Sequence, residues 1–260
     1  YFWLETLRRH DSYTYSHAMN CCALMAAFGR HLGLGERELR DMATGGLLLD
    51  IGKTAVPEAL LERADALDDN EQEMVHGHLM HSVRLYDESG ADNLYVREII
   101  RTHHEREDGS GYPSRLEGDD IPLFGRIAGI VDSFDAMTST RPYRASISKY
   151  DALQQMYRDR GRLYQADLLE QFVQCLGVYP VGTLVELSTG EVAVVMAQNH
   201  IRRLFPQVMV LTDAAKKLRK GFESLDLRDT LAAGKMSAQV SIRRCLHDGA
   251  YGLDPKELYL

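Results

Sequence analysis

Two adjacent histidines, His103 and His104, stand directly ahead of Glu105-Arg106-Glu107-Asp108-Gly109-Ser110-Gly111-Tyr112-Pro113. Imidazole nitrogens bind transition metals, but neighbouring imidazoles meet one metal cluster only where the backbone is leaving a helix, a turn that the glycines just beyond permit. A bare His-His pair serves surface or core more often than metal, so the Asp-Gly-x-Gly-Tyr-Pro that follows is what gives this pair weight. A second stretch, His76-Gly77-His78-Leu79-Met80-His81, holds three more histidines, and Tyr13 lies four residues before His17 on the same helical face. Lys53 falls one turn after Asp50. Arg141 and Arg144 flank Pro142, whose ring disfavours helix at the preceding residue, so both guanidiniums can leave a helix end to meet phosphate or a guanine edge. Blander readings stand beside these: Lys53 as a helix-end charge, the two arginines as a surface pair to acidic neighbours, and Tyr13 as core packing. His76 and His81 read as exposed or as neutral packed imidazoles. His10, His31, His200 and His247 have no motif around them.

Taken in order, these motifs resemble the HD-GYP family, bacterial phosphodiesterases that hydrolyse cyclic di-GMP. The family's opening pattern matches Asp11, Tyr13, Thr14 and His17; its central His-Asp signature matches Asp50, Gly52 and Lys53; a later Glu-x6-His matches Glu71 and His78. The closing pattern matches Asp132, Asp135, Ala136, Thr138, Ser139, Arg141, Pro142, Tyr143 and Arg144. The resemblance implies that His17, Asp50, His78, His103, His104 and Asp132 ligate one or two divalent transition ions (iron, manganese, nickel or zinc), with Asp50 able to bridge two. It implies that Lys53, Tyr112, Asp135, Arg141 and Arg144 contact the nucleotide, and that Asp50 and Lys53 serve catalysis. Chemistry of that kind needs no serine or cysteine nucleophile, because water activated between paired ions attacks phosphorus.

The chain departs from the pattern at one ligand. Leu49 stands where the His-Asp signature has its histidine. In the intact pattern one ion is held by His17, the histidine at position 49, Asp50 and Asp132, and the other by Asp50, His78, His103 and His104. Leucine offers no lone pair; loss of even an outer-shell partner weakens affinity or activity about 10–100-fold, and loss of a ligand does at least that. Tyr13 occupies the position of a glutamate found in three-metal members, so the resemblance implies two ions at most. Three functions follow as alternatives. A degenerate domain binds cyclic di-GMP as a sensor with weak or absent turnover; a working phosphodiesterase gives the linear dinucleotide pGpG or GMP; an interaction module retains the site as a relic.

The elements that must position these residues read as helix after helix. Apolar groups recur at helical spacing over 16–33, 36–50, 70–89, 92–104, 123–139, 148–160 and 165–176. After Gly177 the pattern changes to β-branched stretches at 183–187, 191–198 and 207–212, with a hairpin turn at Ser188-Thr189-Gly190-Glu191. The fold class is therefore mainly α, an HD-type multi-helix bundle by the resemblance over 1–177, with a small C-terminal β meander in 178–260. The segment 213–260 carries no readable role. A helix-like start at Tyr1, with neither cap nor initiator methionine, leads to the expectation of a longer chain with an upstream regulatory domain.

With 260 residues, 45% hydrophobic and 26% charged, the chain can bury a sizeable core. A net charge of −8 argues against DNA or RNA as partners, since those need a basic face to displace counterions. No apolar run approaches the ~18 residues of a membrane span, and the N-terminal residues lack the flanks of a signal peptide. The four cysteines (Cys21, Cys22, Cys175 and Cys245) fall in no zinc spacing and suit a reducing compartment, giving an expected cytoplasmic location.

Overall fold

The structure, a computed structural model, describes residues 12–63, 65–139, 146–199, 202–228, 240–247 and 249–253, together with Arg8. It divides into two compact units, one of residues 1–145 and 156–175, the other of residues 146–155 and 176–260.

In the first unit, α1 (Ser12–His31) buries Thr14, His17, Ala18, Cys21, Met25 and Phe28, an i, i+3/i+4 stripe that places His17 on the core side. Gly33 ends it in the left-handed region, with the Leu34 N–H bonded back to the Gly29 carbonyl at 3.0 Å. Next, α2 (Glu36–Leu48) starts where the Glu38 carboxylate accepts the Gly35 N–H at 2.8 Å. The periodicity carries this helix to residue 50, but the chain tightens after Leu48 into a 3-10 turn, Ile51–Ala55, so that Asp50 sits at the corner. One expected helix, 70–89, is two: α3 (Asp69–His76) and α4 (His78–Glu88), broken at Gly77, a residue of low helix propensity. Asp68 caps α3 by accepting the Glu71 N–H at 2.9 Å while Glu71 accepts the Asp68 N–H at 3.0 Å.

Helix α5 (Leu94–Thr102) ends just before the histidine pair. Helix α6 (Leu123–Thr138) is apolar almost all round and nearly fully buried, the mark of a central helix, and it packs on α1 and α5. The turn after Asp50 packs on α4, and α2 packs on α1 and α5, which brings four chain segments together around Asp50. Apolar support comes from Val83, Tyr86, Val96 and Ile100 with Leu48, and from Phe172, whose ring meets Phe28 at 5.1 Å and Phe134 at 5.4 Å. Phe172 lies on α8 (Ala166–Leu176); α7 (Lys149–Arg158) precedes it and runs along the chain from the second unit into the first.

In the second unit, five strands among the described residues form one antiparallel sheet: β1 (Leu184–Leu187), β2 (Val192–Ala197), β3 (Gln207–Thr212), β4 (Leu218–Asp226) and β5 (Ile242–Leu246), in the order β4-β3-β2-β1-β5. Strands β1 to β4 follow one another as a meander, but β5 returns to pair with β1, with Val185 opposite Cys245. The last two strands lie in the segment that was unreadable in sequence. Alternate residues feed two faces, Leu184, Val192 and Val194 into one apolar cluster and Val185, Ala193 and Val195 into the other. No helix among the described residues is long and apolar enough to cross a membrane.

Candidate metal centre

Asp50, His78, His103 and His104 present ligand atoms that all lie within 4.8 Å of one another. Asp50 sits at the corner after α2, His78 begins α4, and His103 closes α5. The break at Gly77 does chemical work: it lets His78 Nδ1 reach the Val75 carbonyl at 2.6 Å, a distance at which the ring nitrogen must carry the proton. His103 Nδ1 is likewise turned back onto the Ile100 carbonyl at 3.0 Å. With Nδ1–H spent on the backbone, each ring aims the Nε2 lone pair inward, at 3.2 Å (His78) and 3.8 Å (His103) from Asp50 Oδ1.

Those three atoms, Asp50 Oδ1, His78 Nε2 and His103 Nε2, are buried and have no hydrogen-bond partner among the described residues. Three acceptors facing one point repel unless a cation lies between them, and leaving buried polar atoms unpaired is costly. Imidazole nitrogens with one carboxylate are a donor set suited to a divalent transition ion, so these residues fit the group that the resemblance implies.

The second expected set, His17, Asp50 and Asp132, also lies within 4.8 Å but is closed on itself. His17 Nε2 is 3.0 Å from Asp132 Oδ1 and 3.6 Å from Asp50 Oδ2, and its Nδ1 is 2.7 Å from Asp135 Oδ2. Lys53 Nζ donates to Asp50 Oδ2 at 2.6 Å. Burial opposes charge on His17, yet Cys21, Asp132 and Asp135 together push its pKa well above the ordinary value. The carboxylates carry that effect, because burial pushes the Cys21 thiol up to about 11 and keeps it neutral. Burial likewise opposes the Asp50 carboxylate, but the Lys53 ammonium beside it holds its pKa well below the usual range. Leu49, fully buried, adds no donor beside this set. Cys21 Sγ, 3.8 Å from one His17 ring nitrogen and 3.7 Å from the other, forms with His17 and Asp135 a further group whose ligand atoms lie within 4.8 Å of one another.

Around the centre, Asp135 holds His17 and also accepts from Asn20 at 2.9 Å and Ser139 at 3.1 Å, so it orients an imidazole where the resemblance implies a nucleotide contact. Tyr112 stacks on His104 at 4.7 Å and on His76 at 3.7 Å, which takes up the ring faces expected to pack against a base or sugar. Its peptide bond to Pro113 is cis. Arg141, Arg144 and Asp11 lie outside the described residues.

Two further residues of the His-His-Glu to Gly-Tyr-Pro run shape the site. Glu105, 4% exposed, accepts the backbone N–H groups of Ser114 at 2.8 Å and Leu116 at 3.0 Å and so ties down the loop carrying Tyr112. Gly111 lies against the backbone of His104 to Arg106, where a Cβ would come within 2.5 Å of three atoms. The signal for Glu105 was its place in the His-His-Glu run, but its partners are main-chain groups, which leave no mark in sequence.

A family model described as HD domain matches residues 5–168, and the chain belongs to that family. The Asp-Gly-x-Gly-Tyr-Pro loop and the relatives place it on the HD-GYP branch. A cyclic di-GMP phosphodiesterase of Pseudomonas aeruginosa is 36% identical over 224 residues, covering 86% of this chain and 54% of the relative. A 3'3'-cGAMP-specific phosphodiesterase of Vibrio cholerae is 36% identical over 143 residues, covering 55% of this chain and 27% of the relative. The chain thus spans about half or less of these relatives' lengths. Among solved structures, the HD domain of the L. monocytogenes phosphodiesterase PgpH in complex with cyclic di-AMP shares the fold, with a TM-score of 0.51, 16% identity, and coverage of 67% of this chain and 93% of that one.

Proposed function

We propose that the chain binds cyclic di-GMP at a centre holding one divalent transition ion and turns it over weakly or not at all, acting as a second-messenger sensor. The observation that carries this reading is the contrast between the two sets: Asp50 Oδ1, His78 Nε2 and His103 Nε2 converge without partners, whereas His17 and Asp132 satisfy each other beside Leu49. A bound ion supplies Lewis acidity toward a phosphodiester oxygen.

The chain's own residues do the rest. Lys53, 16% exposed at its side chain and paired with Asp50, presents an ammonium that neutralises a second phosphate oxygen. Asp135 fixes the His17 ring, and Glu105 fixes the loop that walls the site. Arg141 and Arg144 are assigned to the phosphate or guanine edge on the resemblance alone. Without a second ion, the symmetric clamp on attacking and leaving oxygens is missing, so the bound state persists and can act as a signal. The free cysteines support a reducing, cytoplasmic setting.

A second reading, an active phosphodiesterase giving pGpG or GMP, is favoured by the relatives, which are named as phosphodiesterases of cyclic di-GMP or 3'3'-cGAMP. One preparation decides between them when metal content, calorimetric binding of cyclic di-GMP and its hydrolysis are all measured on it. The sensor reading expects one ion per chain, measurable binding, and a Leu49→His variant that gains a second ion and at least about 10–100-fold in hydrolysis. Brisk hydrolysis by the unaltered chain, lost on Asp50→Ala, makes it an enzyme instead. Absence of both metal and binding heat sinks both readings.

A further inference from the structure

Of the three imidazoles grouped with Asp50 in the first set, two are oriented by hydrogen bonds and the third is not. His78 and His103 have their Nδ1 atoms held by the Val75 and Ile100 carbonyls. His104 makes no side-chain hydrogen bond among the described residues; its nearest carboxylate oxygen, Asp132 Oδ2, is 3.6 Å from Nδ1, beyond bonding distance. An imidazole that must aim a lone pair within a few tenths of an ångström needs some such support, because ring rotation about its side-chain torsions otherwise spreads it over many directions.

The support for His104 comes from rings: His103 lies tilted against it at 4.1 Å and His78 edge-on at 5.4 Å, and its stacked partner is the end of a column. Tyr112 stacks on His104 with centroids 4.7 Å apart and planes 28° apart, and His76 stacks on Tyr112 at 3.7 Å and 15°. Two rings stacked this closely on one face of Tyr112 would collide, so His76 and His104 lie on opposite faces and the phenol is clamped between them. His76 is the last residue of α3, a helix that contributes no buried residue to the core and is stiffened by the reciprocal cap of Asp68 and Glu71. From the other side Glu105 ties the loop, so Tyr112 is fixed both along the chain and across its faces.

We infer that His76 is a positioning residue of the metal centre: by stacking, it presses Tyr112 onto His104 and does for that imidazole what backbone carbonyls do for His78 and His103. This rests on the proposal that an ion is held at the Asp50 set. The ring face of His76 is what acts, not its nitrogens, and a non-polar aromatic ring at position 76 serves equally.

The test is titration of Mn2+ and of Co2+ into the metal-free full chain, with thermal unfolding as the fold control. His76→Ala, and His76→Leu as a second non-aromatic replacement, are expected to weaken ion binding about tenfold, the low end for loss of an orienting partner, and to alter the visible spectrum of bound Co2+. His76→Phe is expected to restore both the affinity and the spectrum. Unchanged affinity and spectrum in the Ala and Leu variants would overturn the inference. A Phe variant as weak as Ala would overturn it too, by assigning the role to an imidazole nitrogen. An unaltered chain that binds neither ion would remove the one-ion reading and this inference with it, whereas ion binding by the unaltered chain and equally by His76→Ala removes the positioning role alone.

Discussion

Glu105 is almost wholly out of water, and both of its carboxyl oxygens accept main-chain N–H groups, from Ser114 and Leu116. Glutamine is nearly isosteric but has only one acceptor oxygen, so Glu105→Gln leaves one backbone N–H facing an amide NH2. The expected cost is about 1–3 kcal/mol, read as a lower unfolding midpoint in denaturant, and the loop bearing Tyr112 should become accessible to protease. Substitution by Gln with no change in midpoint or cleavage would mean that the loop is held by Gly111 packing instead. Residues of this kind mark the limit of what was legible at the single-residue scale. His78, His103 and His104 could be picked out because their chemistry and spacing sit in motifs, and the structure brings them together with Asp50. Glu105 and His76 act on groups distant or featureless in sequence: two backbone amides and the outer face of a tyrosine. Asp135 stood in a motif as an expected nucleotide contact, and only the fold sets its carboxylate on the far nitrogen of His17.

Helices could be read from apolar spacing because most of them bury an apolar stripe, and the ends that mattered for chemistry were the ones periodicity missed. The break at Gly77 and the early stop of α2 both come from tertiary demands, one to turn His78 inward and the other to place Asp50 at a corner. At that corner Gly52 lies so close to α4 that a Cβ would come within 2.1 Å of the His78 carbonyl and 2.5 Å of the Ser82 N–H nitrogen, both backbone atoms that cannot swing away. Gly52→Ala should therefore push α4 outward, costing at least about 1–3 kcal/mol of stability and weakening ion binding because His78 moves with the helix. A variant of full stability and affinity would show that the corner is more pliable than its packing suggests.

Strands β4 and β5 escaped the sequence reading for another reason. Strand β4 exposes most of its residues at the sheet edge, and the pairing of β5 with β1 joins segments far apart in the chain. One tie there is Glu186 on β1, 5% exposed and paired with Arg244 of β5 at 2.6 Å and Lys216 at 3.1 Å. Arg244, then Lys216, hold its carboxyl below the usual pKa, so its stabilisation is fully present above the unfolded carboxylate value and is lost as pH falls through the folded one. Glu186→Gln should thus lower stability by about 1 kcal/mol near neutral pH, with the difference closing in acid; thermal midpoints of both proteins across that range check it.

At the scale of the molecule, the change of pattern after Gly177 announced two kinds of structure, while residues 146–155 carry a helical pattern and yet group with the sheet. All six expected metal ligands belong to the other unit, between His17 and Asp132. An ion that binds only folded protein stabilises it by mass action, about 2.7 kcal/mol at a free concentration 100 times the dissociation constant. For a unit of this size each kilocalorie moves the midpoint by about 2–4 °C, so saturating metal should raise the helical unit's transition by about 5–10 °C and a chelator should reverse it. None of the ligands found among the described residues belongs to the sheet unit, so its own transition should stay in place; Glu186→Gln should do the converse, lowering the sheet's transition alone. Scanning calorimetry with and without chelator separates the outcomes. One transition that shifts as a whole would mean that the two units unfold together, and two transitions that both ignore the chelator would mean that the convergent lone pairs of Asp50, His78 and His103 hold no ion.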